Sequence, residues 1–100
     1  MAIPYTQGVW RVKPGRAQEF VAAWTEFAEW TLRHAQGAGW GKLLRDLDDE
    51  HRFVSIGPWD SLAAIESWRA LDGWKQRVGR IRELLVDFEP ATLELVVECG

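Results

Sequence analysis

Tyr5-Thr6-Gln7-Gly8-Val9-Trp10-Arg11-Val12-Lys13-Pro14-Gly15 is the stretch on which the fold turns. Aromatic and β-branched residues run as far as Lys13 and stop at a Pro-Gly pair, the pattern of a strand followed by a breaker. Pro14 suits a helix entry, where its missing N–H costs little. From Arg16 to about His34 the period lengthens to that of a helix. Ala17, Phe20, Val21, Trp24, Phe27, Ala28, Thr31 and Leu32 share one arc, with Glu19, Glu26, Glu29 and Arg33 opposite and Trp30 on the shoulder. Gly37 and Gly39 stop this helix.

Outward from this unit, residues 39–46 and 51–59 read as two strands around the acidic turn Asp46-Leu47-Asp48-Asp49-Glu50. Their closeness in sequence makes an antiparallel hairpin the simplest pairing. The turn lacks the glycine and distal glutamate of a calcium loop, so it reads as a solvated tip. Asp60-Ser61 can cap a helix from Leu62, striped by Leu62, Ile65, Trp68 and Leu71. After Gly73 a further helical stretch carries Trp74, Val78, Ile81, Leu85 and Phe88, and Pro90 ends it. Lys75, Arg77, Arg80, Arg82 and Glu83 form its other face, a basic cluster best explained by solvation. Ala91–Glu98 alternates as a last strand.

The order is βαββαβ, the split arrangement of an α+β ferredoxin-like fold with a four-stranded antiparallel sheet. Residues 1–100 are read as a single domain. A faint repeat at an offset of 44 residues pairs Val9 with Phe53, Val12 with Ile56, Trp24 with Trp68, Phe27 with Leu71 and Trp30 with Trp74.

Composition narrows the partners. A formal charge of −3 argues against a nucleic-acid surface, which needs a basic face. No apolar run approaches the roughly 18 residues of a membrane span, and the Met1-Ala2-Ile3-Pro4-Tyr5 start does not resemble a leader. The lone Cys99 allows no intrachain disulfide and suits a reducing compartment, so a soluble, cytoplasmic protein is expected. Seven tryptophans exceed what a core of this size needs. Indoles suit interfaces and aromatic ligand sites, though aromatic stripes also simply pack. The first and third strands carry apolar groups on both faces: Tyr5, Val9, Trp10 and Val12 in one, Phe53, Val54, Ile56 and Trp59 in the other. If helices cover one face, a second copy packed sheet to sheet is the cheapest cover for the other, and a homodimer is expected.

Trp10-Arg11-Val12-Lys13-Pro14-Gly15-Arg16, Glu19-Phe20, Gly57-Pro58-Trp59-Asp60-Ser61-Leu62 and Ile65-Glu66-Ser67-Trp68-Arg69 together resemble the antibiotic biosynthesis monooxygenase (ABM) domain of the dimeric α/β-barrel superfamily. The resemblance covers essentially the whole chain. It implies a homodimer with facing sheets, helices outside, and a pocket between sheet and helices in each subunit. Members include cofactor-independent oxygenases of polyketide tailoring, quinol oxygenases and haem-degrading oxygenases. Trp68 matches a tryptophan shared by several active types. Haem-degrading members resemble one another in an Asn on the first strand and a His about three turns beyond that tryptophan. Gly8 and Val78 stand at those places here, and the sequence contains no asparagine, which argues against haem degradation. Ala64 stands where the polyketide type carries an Asn.

The resemblance also implies that Gly8, Trp10, Val54 and Ile56 face the helices, with Phe20, Trp24, Trp68 and Trp74 closing the far wall. Trp10, Phe20, Trp24, Trp68 and Trp74 are thus the expected substrate-binding residues. The polar candidates for catalysis are Thr31, the indole N–H of Trp68, and His34, whose place at a helix C-terminus is equally that of a structural histidine. The two histidines lack ligand spacing, so no metal is expected; Gly37-Ala38-Gly39-Trp40-Gly41 runs from helix into strand, opposite to a dinucleotide loop. Two functions follow: a cofactor-independent monooxygenase acting on an aromatic, polyketide- or quinol-like molecule, or a non-catalytic homodimer that binds a hydrophobic small molecule. The expected partners are a second copy and an aromatic ligand, and no cofactor is expected.

Overall fold

A computed structural model describes residues 3–100; Met1 and Ala2, the first residues of the start that does not resemble a leader, lie outside the described residues. The chain runs β1 (Pro4–Val12), α1 (Ala17–His34), β2 (Lys42–Arg45), β3 (Arg52–Pro58), α2 (Leu62–Arg69), α3 (Asp72–Arg82) and β4 (Leu85–Glu94). The strands form one antiparallel sheet in the order β2-β3-β1-β4, the ferredoxin-like arrangement. All three helices lie on one face. The molecule is therefore only 18 Å through its thinnest direction, one sheet deep and one helix layer deep.

Local chemistry explains most boundaries. Gly15 at φ +76° closes the turn after β1, and the Arg16 N–H donates to the Lys13 carbonyl. Ser61 caps α2 by accepting from the Ala64 N–H at 3.1 Å. At the β2–β3 tip, Asp46 accepts from the Asp48 N–H at 2.8 Å and from Arg52 at 3.1 Å. These bonds hold its carboxyl below the ordinary aspartate range, the backbone N–H contributing most.

Several sequence expectations change here. The pattern that extends the last helix through Leu85 and Phe88 is overruled, because α3 ends at Arg82 and the chain pairs with the whole of β1 from Leu85 on. Leu85 and Phe88 have helical spacing, but Phe88 stacks on Trp10 at 4.2 Å from within a strand. Pro90 does not end a helix. It lies opposite Gly8 on an edge strand, where a missing N–H is tolerated. The last strand accordingly ends at Glu94 and not at Glu98. On α1, Trp30 is buried in the core, while Leu32 is 56% exposed.

Trp30 is buried because α3 comes unusually close. A Cβ on Gly73 would run into the Trp30 ring, so only glycine permits this approach. Arg77 lies over the same ring at 4.6 Å and donates to Glu26 at 2.9 Å, tying α3 to α1. Gly73→Ala would gain up to about 1 kcal/mol of helix propensity but overpack this contact by about 1–3 kcal/mol. A net fall in stability by chemical denaturation is expected; a rise would contradict the close approach.

Candidate functional site

Strand register decides which side chains meet the helices. Trp10 pairs with Phe53, Gly8 with Ser55 and Thr6 with Gly57, so these residues share the helix-facing side. Trp10, Phe53, Gly8, Ser55 and Gly57 are buried. Val54 pairs with Val9 and Ile56 with Gln7, so the expected orientation of Val54 and Ile56 is reversed: both face away from the helices. Both faces of β3 carry apolar residues, and a one-residue slip exchanges them all.

The helix-facing side falls into two regions. At one end Val12, Phe20, Phe53, Ile81 and Leu84 fill the space completely. Phe20 is 0% exposed and packs behind Trp10 at 5.6 Å and against Phe53 at 5.0 Å. Toward the other end the floor is made of Thr6, Gly8, Ser55 and Gly57, which are too short to reach the helices. A cavity of about 360 Å³ remains. Gly8 has no room for a side chain, since a Cβ there would fall 2.8 Å from the Trp10 indole nitrogen.

Helices supply the roof. Trp24, Phe27 and Thr31 come from α1, Trp68 and Arg69 from α2, and Trp74, Val78 and Arg82 from α3. Trp59, just beyond β3, closes one side. Trp68 stands at the centre of an aromatic cluster. It stacks on Phe27 at 5.6 Å, tilts against Trp59 at 4.8 Å and meets Trp74 edge-on at 6.0 Å.

The polar groups follow one rule with one exception. Trp10 donates its indole N–H to the Ser55 hydroxyl at 2.9 Å. Trp59 donates to Thr6 at 3.0 Å, and Trp68 to Thr31 at 3.0 Å. Each pair joins two elements and leaves no donor stranded in an apolar wall. Trp74 departs from this: its indole nitrogen is buried and has no partner.

The structure thus brings Trp10, Trp24, Trp68, Trp74 and Thr31 together around one cavity. Phe20 belongs to the filled core behind it. His34 is exposed at the end of α1, its ring 5.4 Å from that of Trp30, and is not part of the cavity wall. Gly8 and Val78 do line the cavity, and neither carries a side-chain donor or acceptor. Sequence reasoning missed Ser55, Trp59, Thr6, Arg69 and Arg82. The alternation Phe53, Ser55, Gly57, Trp59 was the available signal for the first two. Arg82 belongs to the basic face that the charge pattern assigns to solvent, and it reaches the cavity edge instead. Among the described residues no three His, Cys, Asp or Glu side chains come together as a metal site, and no helix is long and apolar enough to cross a membrane.

Solved structures share this architecture. SnoaB from Streptomyces nogalater, a cofactor-independent oxygenase solved as an N63A mutant, is 21% identical and superposes with a TM-score of 0.83 over 91% of this chain and 90% of that one. A candidate antibiotic biosynthesis monooxygenase from Deinococcus radiodurans is 20% identical, with a TM-score of 0.84 over 97% and 96% of the two chains. A conserved protein from Methanosarcina mazei is 19% identical, with a TM-score of 0.84 over 93% and 92%. At such identities the likeness is one of fold. No curated protein matches the sequence. The family model described as antibiotic biosynthesis monooxygenase matches residues 5–80, most of the chain and nearly all the elements that build the cavity, and the chain belongs to that family.

Proposed function

We propose that the protein is a cofactor-independent monooxygenase acting on an aromatic, polyketide- or quinol-like molecule held between sheet and helices. The observation that carries this is the cavity itself. A volume of about 360 Å³ walled by indoles suits a planar ring system. Family membership and the fold shared with a cofactor-independent oxygenase support the same chemistry.

The reaction asks little of the protein. A ring methylene conjugated with a phenol loses a proton, and the carbanion passes one electron to O2. The resulting radicals join as a peroxide at that carbon. O–O cleavage with loss of the second C–H hydrogen releases water and leaves a carbonyl. One oxygen atom enters the product and the other leaves as water. Trp68 would hold the ring, its own orientation fixed by its contacts with Phe27 and Trp74 and by its bond to Thr31. His34 lies too far outside the wall to serve as the base, which leaves Trp68 and Thr31 of the three expected polar candidates.

One observation favours the alternative, a non-catalytic binder of a hydrophobic molecule: among the described residues no His, Cys, Tyr, Lys, Asp or Glu lines the cavity. Oxygen consumption with a panel of reduced anthrones and quinols separates the two. Uptake above background is expected, falling roughly tenfold or more in Trp68→Phe, as for loss of a positioning contact. No uptake across the panel, with ligand binding intact, would establish the binder instead.

We also propose the homodimer. Across the sheet from the helices, Tyr5, Val9, Val54, Ile56, Leu44 and Leu93 share one face, with Leu44 55% and Leu93 41% exposed. An apolar sheet face left to water is unfavourable, and a second copy would cover it. Light scattering at micromolar concentration is expected to give twice the 11.5 kDa subunit mass; the subunit mass alone would refute the pairing.

A further inference from the structure

Ser55 carries a hydrogen that the protein does not use. A hydroxyl has one donor and two lone pairs. Ser55 accepts from the Trp10 indole at 2.9 Å, and among the described residues its own O–H has no acceptor within hydrogen-bond distance. Thr6 and Thr31 also accept from indoles, but each has another outlet. Thr31 lies on a helix, where rotation offers the carbonyl four residues back, as Thr25 uses that of Val21 at 2.7 Å. Thr6 is only half-buried and can turn to water. Ser55 has neither choice. It is buried in β3, between β2 and β1, where the neighbouring backbone groups are engaged in the ladder.

Gly8 is what lays this pair open. It stands opposite Ser55 on the helix-facing side, and both line the cavity. A Cβ on Gly8 would fall 2.8 Å from the Trp10 indole nitrogen and 3.0 Å from the Ser55 hydroxyl oxygen, against both atoms of their bond. Any other residue at position 8 would cover them. The floor thus presents a two-link chain of donors, Trp10 to Ser55 and Ser55 to whatever occupies the space. An N–H given to a hydroxyl polarises it and makes its own O–H a better donor. A hydroxyl in such apolar surroundings is unfavourable until that donor is matched.

We infer that Ser55 is a ligand-binding residue: backed by Trp10, it donates to a carbonyl oxygen of the bound molecule and so fixes which edge of that molecule meets the floor. The inference rests on the reading that this cavity takes a ligand, and it holds for an oxygenase and for a pure binder alike.

Fluorenone and fluorene test it. They share a planar tricyclic frame and differ at one position, a carbonyl in the first and a CH2 in the second. Their dissociation constants are measured by equilibrium dialysis under nitrogen, so that no turnover takes place. Ser55→Ala is expected to lower the ratio of fluorenone to fluorene affinity about three- to tenfold, the scale of one hydrogen bond. Ser55→Thr, which keeps the hydroxyl, should keep the native ratio. The infrared carbonyl band of bound fluorenone should lie at lower frequency in the native protein and in Ser55→Thr than in Ser55→Ala. Fluorene serves as the control that each variant still has its cavity. A serine that only orients Trp10 would, when lost, weaken both ligands alike. An unchanged ratio in Ser55→Ala, with both ligands still bound, would therefore overturn the inference and leave the ligand-binding reading standing. Binding of neither ligand to the native protein would overturn both.

Discussion

Everything at this site depends on the shortness of four side chains. A sheet packed against helices normally interleaves large residues from both layers, leaving few voids larger than a water molecule. Here Thr6, Gly8, Ser55 and Gly57 occupy neighbouring, register-matched places on the helix-facing side of β1 and β3. None can reach the roof. Trp10 and Phe53, one step along the same strands, close the gap at once and hand over to a filled core. The boundary between solid protein and open cavity is therefore a change from small to large residues across one pair of positions.

Large rings then make the space specific. An indole offers a wide apolar face and one donor, and a wall of indoles is stable only if those donors are satisfied. Ser55, Thr6 and Thr31 do this for Trp10, Trp59 and Trp68, and in doing so they staple β1 to β3, the segment after β3 to β1, and α2 to α1. The small polar floor residues thus have two effects together. They leave room for a ligand, and they fix the orientation of the rings that would grip it. Trp74 lies outside this pattern, its buried indole nitrogen having no partner.

Much of this was legible in the sequence. The Pro-Gly break after β1, the helical arc of α1, the Ser61 cap and the acidic tip each rest on local chemistry, and the structure keeps them. What failed was non-local. Leu85 and Phe88 fit a helical period, but pairing along the length of β1 outweighed it. Trp30 sat on the shoulder of its stripe, and only the approach of α3 over Gly73 explains its burial. β3 carries apolar residues on both faces, so periodicity alone could not tell Phe53 and Ser55 from Val54 and Ile56. The 44-residue echo has the same weakness. It matches Trp24 with Trp68, which both reach the cavity, yet it matches Val9 on the open face with Phe53 in the core. Of the expected site residues, Phe20 was placed by the family resemblance and His34 by its position at the end of α1, and neither says how far along the sheet the small floor extends.

The central claim is that this indole-walled space is open to a ligand and not merely a loosely drawn core. Titrating the intrinsic tryptophan fluorescence with planar quinones and polyphenols tests it most directly, because six of the seven indoles line it: Trp10, Trp24, Trp40, Trp59, Trp68 and Trp74. Saturable quenching with one site per subunit, abolished in Trp68→Ala while the fold persists by circular dichroism, is the result this account predicts. Quenching that rises linearly without saturation for every ligand would contradict it and leave the tryptophans as packing.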